Sequence, residues 1–218
     1  MMIKAVAGGG GRGMRIVRDG ATLEEAWRRC SSEARAAFGT DAVYAEDLIP
    51  RARHIEVQIV GDHKGGVIHL FERECSAQRR HQKLVEIAPS PWLAPALRDV
   101  LTRAALQLTR AVHYDGVGTV EFLVEVDVAG EATGRFVFIE MNPRLQVEHT
   151  VTEEVTGIDL VKTQLQLASG MGLAELGLDQ NAIEAPRGYA IQLRVNMETL
   201  AADGSTRPSG GTLVACNR

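Results

Sequence analysis

Val117-Gly118-Thr119-Val120-Glu121-Phe122-Leu123-Val124-Glu125-Val126 and Arg135-Phe136-Val137-Phe138-Ile139-Glu140-Met141 decide the reading of this chain. Both stretches are rich in β-branched and aromatic residues, and a glycine-containing turn separates them, so they predict two adjacent antiparallel strands. In the first, Val120, Phe122, Val124 and Val126 share an apolar face, and Glu121 lies opposite with Thr119 and Leu123. In the second, Val137, Ile139 and Met141 take one face. Glu140 then falls on the other with Phe136 and Phe138, and Asn142 continues that parity. If the strands pair, Glu121, Glu140 and Asn142 converge on one surface. Three oxygen donors without His or Cys suit Mg²⁺ or Mn²⁺ held jointly with substrate phosphates. The competing reading is a solvated polar face.

Outward from this pair, further strands are expected at 2–6, 14–18, 54–60 and 67–71, and over Tyr189 to Met197. Helices are expected from Thr22, with a capping box completed by Glu25, to Gly39; from Leu97 to Val112, ended by Gly116; and from Asp159 to Gly170. Residues 72–88 form a dense polar run, and 171–187 a loop. Helices mixed with mostly adjacent antiparallel strands predict an α+β fold rather than a βαβ repeat.

The chain has 218 residues, 24 Lys plus Arg, 28 Asp plus Glu and a formal charge of −4. That length supports a sizeable core. The slightly acidic balance argues against general nucleic-acid binding. No apolar run is long enough to span a bilayer, and no signal peptide is visible. Three widely spaced cysteines (Cys30, Cys75, Cys216) form no disulfide framework or zinc pattern, so a cytoplasmic protein is expected.

Of 22 glycines, four are consecutive at Gly8 to Gly11. Gly8, Gly10 and Gly13 match GxGxxG literally. The residues that follow read as strand, not as the helix a dinucleotide fingerprint needs, and no Gly-Lys-Ser/Thr completes a Walker loop. The alternatives are a glycine-rich flap over phosphates, aided by Lys4 and Arg12, or a floppy hairpin tip.

Glu140-Met141-Asn142-Pro143-Arg144-Leu145-Gln146-Val147-Glu148-His149 concentrates polar groups after a strand. Arg144 offers a fork for a planar oxyanion, and Glu148 is a candidate general base. This segment closely resembles the biotin carboxylase domain of biotin-dependent carboxylases, which are ATP-grasp enzymes. So do Gly-Gly-Gly-Gly-Arg-Gly at 8–13 and Glu-Cys-Ser-Ala-Gln-Arg-Arg-His-Gln-Lys at 74–83. The resemblance covers essentially the whole chain.

It implies an ATP-grasp α+β fold, with residues 1–48 a partial lid subdomain and 49–218 the central catalytic subdomain, both incomplete. It implies ATP- and bicarbonate-dependent carboxylation of carrier-bound biotin through carboxyphosphate, with Mg²⁺ or Mn²⁺. A biotin carboxyl carrier, a carboxyltransferase and a possible homodimer are the implied partners. By the family pattern, Lys4, Gly10 and Gly11 hold the phosphates, and Glu46, Asp47, Leu48 and Ile49 hold the adenine. His54, Gln78 and His81 match further nucleotide positions. Lys83, Arg144, Gln146 and Val147 match the bicarbonate site, Val147 through its backbone. Glu121, Glu140 and Asn142 match the metal positions, with Glu121 and Glu140 also at the nucleotide. Glu148 matches the base that deprotonates bicarbonate, and Arg194 the arginine that stabilises the biotin enolate. Cys75 is expected to be structural.

Two departures stand out. Asp47 replaces a usual basic residue, and the turn 127–134 is longer than in single-function relatives. The alternatives are one half of a carbamoyl-phosphate synthetase large chain, or a catalytically silent nucleotide-binding module.

Overall fold

The computed structural model describes residues 1–8, 13–79, 82–203 and 205–212. Expected positions Gly10, Gly11 and His81 lie outside the described residues. The architecture is α+β, as the strand and helix patterns predict.

Near the start, β1 (Met2–Ala5) pairs antiparallel with β2 (Met14–Ile16) and with β3 (Val43–Glu46). Helix α1 (Leu23–Phe38) packs Cys30 against Ile3 and Val17. The expected capping box is not made. Asp19 instead caps a short 3₁₀ turn, Gly20–Thr22, that runs into α1, and Thr22 Oγ1 donates back to the Asp19 carbonyl. Glu25 pairs with Arg29 one turn on. Gly39 does end α1, with φ +76°.

The main sheet contains β4 (Ala52–Gly61), β5 (Val67–Arg79), β6 (Gln82–Ala88), β7 (Gly116–Val126), β8 (Ala132–Asn142) and β9 (Ala190–Leu193). Their order is β8-β7-β4-β5-β6-β9, with every neighbouring pair antiparallel. The described residues of the polar run 72–88 lie in strands. The run carries the end of β5 and all of β6, and Glu72, Arg73, Glu74 and Glu86 within it are buried. Helix α2 (Pro95–Ala111) covers one face of the sheet, packing Leu101, Ala105 and Leu106 on Ile55, Val57, Ile59, Val120, Phe122 and Val124. It stops before Gly116, which opens β7 instead.

Two further helices cover the opposite side. The sequence reading missed α3 (His149–Thr156), which is ended by Gly157 at φ +73°. Asp159 caps α4 (Leu160–Ala168) by accepting from the Lys162 N–H. Leu160 and Leu167 of α4 pack on Val60, Ile68, Leu70 and Val117. The strand expected over Tyr189 to Met197 is shorter: β9 ends at Leu193, and β10 (Glu198–Leu200) pairs with β11 (Thr206–Pro208) in a separate ribbon. No described helix is long and apolar enough to cross a membrane.

Three register shifts matter more than the outline. Between His69 and Glu72, β5 has one residue more than β4 opposite it. Phe71 takes φ +62° there, a conformation that costs an ordinary residue energy. Its N–H donates to His69 Nδ1 at 3.2 Å, and the Gln180 side chain bonds both backbone groups of His69. Burial pushes His69 down to about 4, so the ring stays neutral and can accept. In β6 an extra residue lies between Lys83 and Val85, and in β8 one lies between Phe138 and Glu140. Each bulge reverses which parity of residue faces which side.

Candidate active site

The face opposite α2 holds the polar cluster. On β4, His54, Glu56 and Gln58 alternate with the apolar residues that α2 covers. Across the ladder, Glu56 faces Glu121 and Gln58 faces Thr119. Glu121 in turn sits opposite Glu140 on β8, so the convergence expected of these two carboxylates is observed. The expected face-sharing of Glu140 with Phe136 and Phe138 is not. The β8 bulge intervenes, and both phenylalanines make edge contacts with Phe122 instead.

Arg73 is the buried hub. The β5 bulge points it to this face, where Leu70 also lies, and leaves Glu72 facing Ser90 and Arg98. Its guanidinium donates to Glu56 at 2.6 Å, Gln58 at 2.7 Å, Thr152 at 2.9 Å, Thr119 at 3.2 Å and Gln146 at 3.4 Å. A fully buried cation is tolerable only with such complete pairing.

Lys83 lies among three carboxylates. Its ammonium contacts Glu56, Glu121 at 2.9 Å and Glu148 at 2.7 Å. Burial alone would lower its pKa, but these charges hold it above the ordinary lysine value. Burial likewise pushes the Glu121 carboxyl up, but its close contact with His54 and the charge of Lys83 outweigh it and hold it well below the usual carboxylate range. Glu148 follows the same pattern: burial raises it, and Lys83 and then Arg73 bring it down. It is therefore ionised near neutral pH, the state a base requires. Arg194 closes the cluster, with Nη2 2.5 Å from Glu148 Oε2 and Nε 2.6 Å from Glu86 Oε1.

On the outer side, His54 Nε2 lies 2.7 Å from Glu121 Oε2, and its Nδ1 lies 2.8 Å from Gln78 Nε2. Asn142 Nδ2 donates to Glu121 at 2.9 Å and to Glu140 at 3.2 Å. Gln146 donates to Glu121 at 3.0 Å, and Arg144 to the Asn142 side-chain oxygen at 3.3 Å. Val147 is 62% exposed, which suits a contact through its backbone. Glu121 and Glu140 offer carboxylate oxygens for a hard cation, and Glu140 is solvent-exposed; Asn142 turns its amide nitrogen to both carboxylates, so its oxygen joins them only with the amide turned over. Lys83 pairs with both Glu56 and Glu121, and its charge opposes a cation beside either of them.

Lys4 lies apart from this cluster, paired with Glu46 across β1 and β3. Asp47 is exposed and 3.4 Å from Arg135. Leu48 and Ile49 are half-buried in the link from β3 to β4. Sequence reasoning missed Glu56, Gln58, Arg73, Glu86, Thr119 and Thr152. The alternation along β4 does place Glu56 and Gln58 on the face of His54, and that signal was available.

A family model described as carbamoyl-phosphate synthase L chain, ATP binding domain, matches residues 1–176. The chain belongs to this family. Among relatives of this ATP-binding domain family, a pyruvate carboxylase of Staphylococcus aureus is 51% identical over 217 residues, which are 99% of this chain and 18% of that protein. A biotin carboxylase of Campylobacter jejuni, solved as a β,γ-ATP complex, superposes with a TM-score of 0.84 at 44% identity, covering 92% of this chain and 43% of that one. The biotin carboxylase domain of Hydrogenobacter thermophilus 2-oxoglutarate carboxylase, solved with MgADP, ADP and bicarbonate, superposes with a TM-score of 0.81 at 44% identity, covering 90% and 41%. The chain thus spans under half the length of each of these proteins. Its fold is the ATP-grasp α+β fold of biotin carboxylase domains, as the sequence resemblance implies.

Proposed function

We propose that this chain is the ATP-grasp portion of a biotin carboxylase, acting on ATP, bicarbonate and carrier-bound biotin through carboxyphosphate. The observation that carries this reading is the linked trio Lys83, Glu148 and Arg194, which joins a base to two cations on one buried surface. Bicarbonate is an anion, so the Lys83 ammonium attracts it, and the ionised Glu148 carboxylate beside that ammonium accepts its proton. Arg144, exposed at the rim, adds a fork for the same oxyanion. Bound Mg²⁺ or Mn²⁺ at Glu121, Glu140 and Asn142 would neutralise phosphate charge during transfer.

Lys4, with Gly10 and Gly11, is assigned to the phosphates, and Glu46 to Ile49, with Gln78, His54 and His81, to the nucleotide. Val147 and Gln146 complete the bicarbonate site. Arg194 stabilises the deprotonated biotin. Residues 1–48 form the lid side and 49–218 the catalytic side. The natural partners of this chemistry are a biotin carrier and a carboxyltransferase, and, as the Hydrogenobacter thermophilus domain was solved as a dimer, a second copy of the domain is a further partner.

Two experiments test the reading. Thermal unfolding of this chain is expected to rise with MgATP concentration; no shift at millimolar MgATP indicates a silent module. In the polypeptide that carries the chain, labelled bicarbonate is expected to enter biotin in an ATP-dependent step. Ammonia-dependent turnover without biotin carboxylation would establish the carbamoyl-phosphate alternative.

A further inference from the structure

Glu86 lies outside the net that Lys83 ties together. It sits on β6 opposite Gln192 of β9, and its side chain is fully buried. Its neighbours along the strand, Leu84, Val85 and Ile87, are apolar. Among the described residues its one cationic partner is Arg194. Burial, together with the charges of Glu148 and Glu56, pushes its carboxyl above the ordinary value, and Arg194 pulls the other way. A buried carboxylate in that setting costs the fold energy, and an apolar or amide residue there would remove the cost.

The compensation lies in what Glu86 does to Arg194. The arginine follows the last residue of β9, and its backbone N–H donates to the Leu84 carbonyl at 2.9 Å. That bond fixes its Cα over β6. Glu86 forms an ion pair at Nε and Glu148 accepts from Nη2, so two carboxylates hold adjacent nitrogens of the planar guanidinium. Among the described residues Nη1 makes no hydrogen bond or ion pair, and it is the donor left for a substrate. With Glu86 removed, the guanidinium rotates about its single contact with Glu148, and the aim of Nη1 is lost.

We propose that Glu86 is a positioning residue for Arg194, holding its guanidinium in the orientation the biotin step needs. This rests on the function proposed above. The test uses the full-length enzyme with free biotin as acceptor and the variants E86Q, E86D, R194Q and E86Q/R194Q. For E86Q, the loss in kcat/KM for biotin is expected to exceed the loss in biotin-independent, bicarbonate-dependent ATP cleavage by about ten-fold or more. E86D is expected to recover part of the loss, and the double variant to be no worse than R194Q. The E86Q unfolding temperature is expected to equal or exceed that of the parent, because a buried charge is gone. Equal losses in both activities, independent losses in the double variant, or a lowered unfolding temperature would each overturn the proposal. A parent enzyme that carboxylates no biotin sinks the functional reading instead. Coupling of Glu86 to Arg194 is then read from the unfolding temperatures of the four proteins, where additive shifts overturn it.

Discussion

Lys83 Nζ lies 2.7 Å from Glu148 Oε1. The same ammonium also serves Glu56 and Glu121, so it compensates three buried carboxylates at once. The candidate base, at the start of α3, therefore owes its ionised state to a residue on β6.

Replacing Lys83 with Met is expected to destabilise the fold by about 3–5 kcal/mol, the usual cost of leaving buried charge without its partner. Urea unfolding at pH 7.5 measures this. Lowering the pH should then narrow the difference, because the uncompensated carboxylates protonate more readily once the ammonium is gone.

The acid limb of stability has a defined sign. Glu121 and Glu148 both titrate below their ordinary value in the folded chain. Each therefore contributes stability that is present above the unfolded glutamate pKa of about 4.3 and is lost as pH falls through the folded value. Unfolding temperatures measured from pH 7 to pH 3 are expected to fall below about pH 4.5. A flat profile across that range would contradict the ion-pair network.

Arg73 is expected to resist conservative replacement. An Arg73→Lys substitution keeps the charge but cannot reach Glu56, Gln58, Thr119, Gln146 and Thr152 together. We expect a loss of about 2–4 kcal/mol, since several buried partners are left unpaired. The measurement is the urea midpoint at unchanged m-value.

The bulge at Phe71 makes a prediction that runs against hydrophobicity. Its φ of +62° suits Asn far better than a β-branched residue. Phe71→Asn is therefore expected to be more stable than Phe71→Val, by about 1 kcal/mol. Denaturant unfolding of the two variants decides it, and the opposite order would remove the strain argument.

Asp62 ties the β4–β5 turn to the segment before Leu173. Its carboxylate accepts from the N–H groups of Gly66 at 2.7 Å, Leu173 at 2.8 Å and Lys64 at 3.0 Å. Burial pushes this carboxyl up, but those bonds outweigh it and hold it below its usual value. Asp62→Ala is expected to cost about 1–3 kcal/mol, and hydrogen exchange at Leu173 should accelerate.

Much of this protein follows from sequence alone. Apolar alternation located β4 and β7, helical spacing located α1 and α2, and Asp159 and Gly39 marked helix ends, because these signals are local and need only neighbouring residues. The pairing of Glu121 with Glu140 and Asn142 was also legible, since two strands joined by a short turn lie side by side. Tertiary structure alone decided the rest. Counting by twos fails through a bulge, so the facing of Arg73, Lys83 and Glu140 depended on extra residues in β5, β6 and β8 that no composition marks. The run 72–88 reads in sequence only as a dense polar run, because the groups that neutralise Arg73 and Lys83 lie far along the chain. Glu86 gave no signal of its own. Only the arrival of Arg194 beside it, just beyond β9, gives that buried carboxylate a partner and a purpose.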